Sequence, residues 1–136
     1  MSGLTVGTEL PPVVIEAISR RTLALFAGAS GDHQPVHIDI DAARRRGRDD
    51  VFAHGMLSMA YLGRVLTNWV PQERIRSYKA RFTAITPVYA APTAGGRVMA
   101  VEDGRATIEL TLTLADGTTT VVGEAVVDVP STTPWE

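Results

Sequence analysis

The segment 55–69 constrains the fold of this chain more than any other part of the sequence. Its apolar side chains cover almost the whole circumference of a helix: Met56, Leu57, Met59, Ala60, Tyr61, Leu62, Val65, Leu66 and Trp69. A helix that is apolar on all sides is normally buried inside a protein. The pattern therefore predicts a central helix that other elements surround.

After Pro71 the pattern changes from helical to extended. Strands are predicted at residues 75–87, 96–102, 106–114 and 118–129. Residues 107–114 alternate threonine or glutamate with isoleucine or leucine, which gives that strand one apolar face. The pairs Asp103-Gly104 and Asp116-Gly117 favour tight hairpins between the last three strands.

Two shorter helices are predicted before the central one. The first begins after Ser19, a good N-cap residue, and ends near Gly28 or Gly31. The second covers about residues 41–46, with Asp39 or Asp41 as its cap and Gly47 after its end. An apolar helix beside a sheet with one apolar face predicts an α+β hotdog fold, in which a curved antiparallel sheet wraps around a long central helix.

Size and composition narrow the class of protein. A chain of 136 residues with 45% apolar and 21% charged residues is typical of one globular domain, here residues 1–136. A net charge of −2 argues against a nucleic-acid partner. The absence of cysteine excludes disulfides, thiolate zinc sites and cysteine nucleophiles. Neither a signal peptide nor a membrane span is visible, so we expect a cytoplasmic protein without a membrane partner.

The loop after the first predicted helix carries two residues suited to chemistry. Gly31 ends the helix and Pro35 prevents its continuation, which is sufficient explanation for those two residues. Asp32 and His37, however, place a carboxylate and an imidazole on one rigid loop. Two such groups close together can perform acid and base chemistry on a single water molecule.

A second candidate segment is His54-Gly55, directly before the central helix. Gly55 is explained equally well by close packing. The first amides of a helix also lack internal partners and carry partial positive charge, so the Gly55 N–H could hold an oxyanion.

Four segments together resemble the hydratase signature of the MaoC-like family. They read VGTELP at 6–11, FAGASGDHQPVH at 26–37, AHGML at 53–57 and RFTAITPV at 81–88. The family contains (R)-specific enoyl-CoA hydratases and (3R)-hydroxyacyl carrier-protein dehydratases. The resemblance is strongest to mycobacterial dehydratase subunits, since Gly63 stands where some bacterial hydratases have serine.

The resemblance implies a hotdog dimer that needs no cofactor. It implies that Asp32 and His37 hold one water, which attacks the β-carbon of a trans-2-enoyl thioester, and that Gly55 binds the thioester oxygen. Gln34, Pro35 and His54 are expected to contact the substrate. Gln34 departs from the asparagine usual in the signature, which alters the bracing of the loop.

The basic run 44–48 is either a solvated helix face or a binding surface for the thioester carrier. As a binding surface, Arg44, Arg45 and Arg48 would meet the phosphates of coenzyme A or an acidic acyl carrier protein. A metal site is not predicted, because His33, His37 and His54 lack i, i+4 spacing and no cysteine supports them.

Two other functions compete with hydration. A hotdog thioesterase would direct a carboxylate and water at the thioester carbonyl, and a non-catalytic subunit would only shape an acyl tunnel for a partner. The presence of both Asp32 and His37 argues against each of these. A complete residue set in one chain favours a homodimer, and the mycobacterial resemblance keeps a heterodimer with a related subunit as the alternative.

Overall fold

The computed structural model describes residues 4–129, so the predicted domain 1–136 extends beyond the described residues at both ends. The elements in chain order are β1 (Val13–Val14), α1 (Arg20–Ser30), α2 (Ile40–Arg45), α3 (Gly55–Thr67), β2 (Ile75–Phe82), β3 (Thr93–Glu102), β4 (Arg105–Thr113) and β5 (Thr119–Asp128). Short 3-10 turns lie at Pro35–His37 and Gln72–Arg74. No helix in this part of the chain has the length and apolar character needed to cross a membrane.

The strands form one five-stranded sheet in the order β1-β3-β4-β5-β2. All neighbouring pairs are antiparallel. Alternate residues of β4 and β5 are buried, as the period-2 pattern of the sequence predicts. Strand β2 lies at one edge of the sheet, and its outer backbone groups have no neighbouring strand among the described residues.

Helix α3 packs on the apolar face of this sheet. Leu62, Val65 and Leu66 of the helix belong to a buried cluster with Ile108 and Leu110 of β4. Two glycines in the sheet permit this close approach. A Cβ atom at Gly96 would lie 3.2 Å from the Val65 side chain, and one at Gly123 would lie 3.2 Å from Leu62. Larger residues at these positions would push the helix away from the sheet.

A second buried cluster lies on the other side of the N-terminal half of α3. It consists of Ile15, Ile18, Leu23, Ala43, Val51, Ala53, Leu57 and Val88. This cluster holds α1, α2 and the start of α3 together. It thereby fixes the loop between α1 and α2 in relation to the N-terminus of α3.

Most predicted elements are present, and two details were wrong. Ser19 and Asp39 cap α1 and α2 with their side chains, and Gly31 ends α1 in the left-handed conformation. The strand predicted at 75–87 stops at Phe82. The prediction that α3 is buried on nearly all sides was also wrong, because Met56 is 60% exposed and Ala60 lies on the same open face.

Candidate active site

Asp32 lies directly beyond the end of α1, in a loop held by local hydrogen bonds. The Asp32 N–H donates to the Ser30 hydroxyl at 3.2 Å, and the Gln34 N–H donates to the Asp32 carboxylate oxygen Oδ1 at 3.2 Å. Aspartate accepts from the backbone two residues later in just this way when it initiates a turn. Pro35 then begins the short turn that carries His37.

His37 is largely buried, with 9% of its surface exposed. Its Nδ1 atom lies 2.7 Å from the backbone carbonyl oxygen of Phe52. A carbonyl only accepts hydrogen bonds, so Nδ1 carries the proton in the neutral ring and the lone pair is on Nε2. This tautomer leaves Nε2 as the basic atom of the ring.

His54 is buried beneath His37, with only 1% of its surface exposed. The two imidazoles stack with ring centroids 4.0 Å apart, and Phe26 contacts His54 edge-on at 4.8 Å. The His54 Nε2 atom lies 3.1 Å from the backbone carbonyl oxygen of Asp32, so this nitrogen carries the proton. Burial, followed by the neighbouring His37 ring, lowers the pKa of His54 below its ordinary value of 6.5. His54 is therefore neutral near pH 7.

The fold brings Asp32, His37 and His54 together from two separate segments. One nitrogen or oxygen atom from each side chain lies within 4.8 Å of those of the other two. A carboxylate and an imidazole at this separation can hold one water molecule and accept its proton.

The same three side chains raise the question of a metal ion. Each imidazole engages a backbone carbonyl through its other nitrogen, as metal-bound histidines do. The His37 and His54 rings are stacked, however, with only 26° between their planes. The two ring planes are therefore nearly parallel and separated, so lone pairs lying in those planes do not readily meet at one point about 2 Å from both nitrogens, as zinc requires. The arrangement suits a water molecule better than a metal ion.

Gly55 is the first residue of α3, and its N–H has no acceptor within the helix. It is exposed, and the ring of Phe82 at the end of β2 lies over it. A Cβ atom at this position would lie 3.3 Å from that ring. The N-terminus of α3 thus presents a polarised amide close to His54, the preceding residue.

The other predicted site residues lie around this centre. Gln34 and Pro35 are exposed on the loop, and Arg44, Arg45 and Arg48 are exposed on or just after α2. A surface cavity of about 360 Å³ is lined by Pro35, Val36, Ala42, Arg45 and Arg46. It connects the basic run to the loop that carries His37.

Three aromatic residues at the site were not predicted. Phe52 supplies the carbonyl that orients His37, Phe26 packs against His54, and Phe82 covers Gly55. The backbone carbonyl of Phe52 has no signature in a sequence. Phe26 lies in the matched 26–37 segment and Phe82 in the 81–88 segment, but their contacts depend on the tertiary fold.

Comparison with known proteins places the chain among hydratases and dehydratases. It is 33% identical to an (R)-specific enoyl-CoA hydratase of Rhodospirillum rubrum, over 85% of this chain and 83% of that protein. It is 31% identical to 3-hydroxyacyl-thioester dehydratase Z of Mycobacterium tuberculosis, over 70% of this chain and 68% of that protein. Fatty acid synthase subunit beta of Saccharomyces cerevisiae is 25% identical over 91% of this chain, which spans only 6% of that subunit.

Solved structures agree with these relatives. An (R)-hydratase from A. caviae involved in PHA biosynthesis has a TM-score of 0.85 and 25% identity, with 96% of this chain and all (100%) of that chain covered. The ChsH1-ChsH2 complex from Mycobacterium tuberculosis contains a chain with a TM-score of 0.82 and 26% identity, covering 93% of this chain and 98% of that one. The predicted hotdog fold is confirmed by these likenesses.

The family model for the MaoC like domain matches residues 4–122, which is nearly all of the part that the structure describes. This match agrees with the relatives and with the fold. The chain belongs to the MaoC-like domain family.

Proposed function

We propose that this chain is a hydro-lyase that reversibly hydrates trans-2-enoyl thioesters to (3R)-hydroxyacyl thioesters. The family and the names of its hydratase and dehydratase relatives support this reaction. The observation that carries the assignment to residues is the pairing of Asp32 with His37. A carboxylate oxygen of Asp32 lies within 4.8 Å of a ring nitrogen of His37, and the Phe52 carbonyl holds that ring through Nδ1.

Asp32 and His37 bind and activate one water molecule in this proposal. During hydration, the water oxygen forms a bond to the β-carbon while one water proton passes to the pair. The π electrons of the double bond move towards the thioester, and the α-carbon accepts a proton from the pair. One proton is taken and one is returned, so dehydration is the same path in reverse.

Gly55 is proposed to stabilise the charge that develops on the thioester oxygen. This charge is enolate-like in the transition state, and a preorganised N–H at the start of a helix is a suitable donor for it. Gly55 is exposed, and its N–H has no backbone acceptor among the described residues. The ring of Phe82 over Gly55 provides an apolar surface beside the reacting atoms.

The basic run is proposed to bind the carrier of the acyl group. Among the described residues, no carboxylate lies within 4 Å of the side-chain nitrogens of Arg44, Arg45 or Arg48. Arg44 donates to the Asp49 backbone carbonyl, and Arg48 lies over the Phe52 ring, 5.9 Å from its centroid. These guanidinium groups remain available for phosphates or for an acidic protein surface. Gln34 and Pro35 are proposed to contact the thioester near the catalytic pair.

A dimer is proposed as the functional assembly. Strand β2 has a free edge, and α3 has an open face that includes Met56 and Ala60. An edge strand and an exposed apolar helix face are features that a second hotdog chain can cover. We favour a homodimer because one chain contains Asp32, His37 and Gly55, with a related subunit as the alternative partner.

The absorbance of the enoyl-thioester band tests the function directly. We expect it to fall when purified protein is mixed with trans-2-enoyl-CoA, with a dependence on acyl length that defines the substrate range. A thioesterase would instead release free thiol, which a thiol reagent detects in the same cuvette. If neither the enoyl-thioester absorbance falls nor free thiol appears at any acyl length, the result would support a non-catalytic subunit and contradict the proposal.

A further inference from the structure

The proposed reaction gives no chemical task to His54, although this side chain lies at the centre of the site. The sequence predicted that His54 contacts the substrate. Only 1% of its surface is exposed, however, which leaves little area for such a contact. It contacts both members of the catalytic pair instead. Its ring stacks on the ring of His37, and its Nε2–H donates to the backbone carbonyl of Asp32.

The rest of the His54 ring is fixed in an apolar setting. Phe26 packs against it edge-on at 4.8 Å. The Nδ1 atom is buried and has no hydrogen-bond partner among the described residues. An unprotonated Nδ1 in a neutral ring costs less free energy at this site than a protonated one, because a charged imidazolium would need a hydrogen-bond partner for each N–H. The surroundings therefore hold one tautomer of a neutral ring.

We propose that His54 is a positioning residue that sets the separation and orientation of Asp32 and His37. This inference rests on the proposed hydration function. One polar contact holds the backbone at Asp32, and one stacking contact supports the face of the His37 ring, while Phe52 holds its edge through Nδ1. Catalytic groups must be held within a fraction of an ångström, and misplacement by about 1 Å can cost about 10²-fold in rate.

Two substitutions separate the two contacts. His54→Phe keeps an aromatic ring for stacking but removes the donor to Asp32. His54→Gln keeps an amide N–H near the place of Nε2 but removes the ring. We expect each to lower kcat for enoyl-thioester hydration by about 10-fold or more at nearly unchanged KM, because positioning affects the transition state rather than substrate binding.

Thr120→Val is the matched control. The Thr120 hydroxyl is fully buried and donates to the Leu112 backbone carbonyl at 3.3 Å, so its removal also deletes a buried donor, but within the sheet. It should lower the melting temperature and leave kcat unchanged. Folded His54 variants with wild-type kcat would overturn the proposal. A raised KM with unchanged kcat would indicate direct substrate contact and would also overturn it.

Histidine NMR of the wild-type protein tests the arrangement without using activity. We expect His54 to be protonated at Nε2 only and His37 at Nδ1, with the His37 resonances shifted in both variants. A His54 ring protonated at Nδ1 would contradict the proposed positioning. If the wild type fails to hydrate any enoyl thioester but shows the expected tautomers, the proposed function fails while the geometry stands.

Discussion

At the residue scale, Asp32 and His37 carry the proposed chemistry. We predict that Asp32→Asn and His37→Ala each lower turnover by at least ~10², the usual contribution of a general acid or base. His37→Asn is a sharper variant, since its amide can still donate to the Phe52 carbonyl while the basic Nε2 is lost. Steady-state hydration kinetics and circular dichroism measure activity and folding together.

The neighbouring His33 provides the control for this experiment. It lies in the same loop and is exposed. His33→Ala should therefore keep turnover within about twofold, because an exposed side chain without a role in the site adds little to it. Wild-type turnover in the Asp32 or His37 variants would remove both residues from the mechanism.

The proposed role of Gly55 depends on one backbone N–H. We predict that Gly55→Pro lowers kcat by roughly 10²-fold, the usual cost of losing one oxyanion donor. Proline is tolerated at the first position of a helix, and the extended conformation of His54 suits a following proline. Hydration kinetics of the purified variant provide the measurement.

Gly55→Ala is the matched variant, because it adds the same Cβ atom 3.3 Å from the Phe82 ring but keeps the N–H. It should be much more active than the proline variant. Equal loss in both variants would mean that crowding against Phe82, and not the missing donor, reduces the rate.

Burial of His54 makes the stability of the protein depend on pH. Burial lowers the pKa of His54 in the native state, while the unfolded chain keeps the ordinary value of 6.5. As the pH falls through this value, the unfolded state binds the proton first. The free energy of unfolding therefore decreases until the pH reaches the native pKa of His54. This stability is fully present above pH 6.5. His54→Phe should flatten the dependence below about pH 6.5.

Urea unfolding at several pH values measures this difference between His54→Phe and the wild type. Groups away from His54, such as Asp50 with its lowered pKa beside Arg20, contribute equally to both proteins and cancel in the comparison. Parallel curves for the two proteins would show that His54 does not titrate differently in the native state.

The sequence identified most of the candidate site but not its internal contacts. Asp32 and His37 were predicted because a short loop limits the distance between two chemical groups. The Asp32 carbonyl that His54 binds lies 22 residues away in sequence, and the Phe52 carbonyl that His37 binds lies 15 residues away. Such contacts are set by tertiary packing, and a backbone carbonyl has no residue type to reveal it. His54 was therefore predicted as a substrate contact instead.

At the element scale, periodicity located the helices and strands, but burial depended on neighbours. The pattern of α3 is apolar all round, yet the structure leaves Met56 and Ala60 exposed because the sheet and the second buried cluster cover only part of the helix. The strand predicted at 75–87 ends at Phe82, after which the chain turns to reach Pro87, which bridges to Phe52. Local sequence reveals neither which elements cover α3 nor that Pro87 bridges to Phe52.

The basic element around α2 yields a prediction about substrate binding. Charge reversal of Arg44, Arg45 and Arg48 to glutamate should raise KM for full-length enoyl-CoA more than for a truncated enoyl thioester, with little change in kcat. This pattern marks loss of ground-state binding rather than of chemistry. Kinetics with the two substrates, repeated at several salt concentrations, measure it.

Arg21→Glu is the control, because Arg21 is exposed at the start of α1, about 15 Å along the helix from the end that leads to Asp32. It should change KM for both substrates little. An equal response of the two substrates to the triple reversal would show that the run is only a solvated face.

At the scale of the whole molecule, the open surfaces predict at least a dimer. Strand β2 has a free edge of eight residues, and α3 exposes an apolar face beside the site. Gly63 does not leave empty space on this helix, because a Cβ atom there would lie 3.4 Å from the Tyr78 ring of β2. The helix and the edge strand are thus in direct contact and can present one continuous surface to a second chain.

We predict that sedimentation of the purified protein shows a dimer, and that Ala60→Glu weakens it by placing a charge on the open face of α3. Ala115→Glu adds the same charge to the exposed turn between β4 and β5 and should leave the dimer intact. Hydration activity is measured on the same samples. An active monomer would contradict the assembly, whereas an inactive homodimer that a co-expressed related chain activates would show that the functional partner is a different subunit.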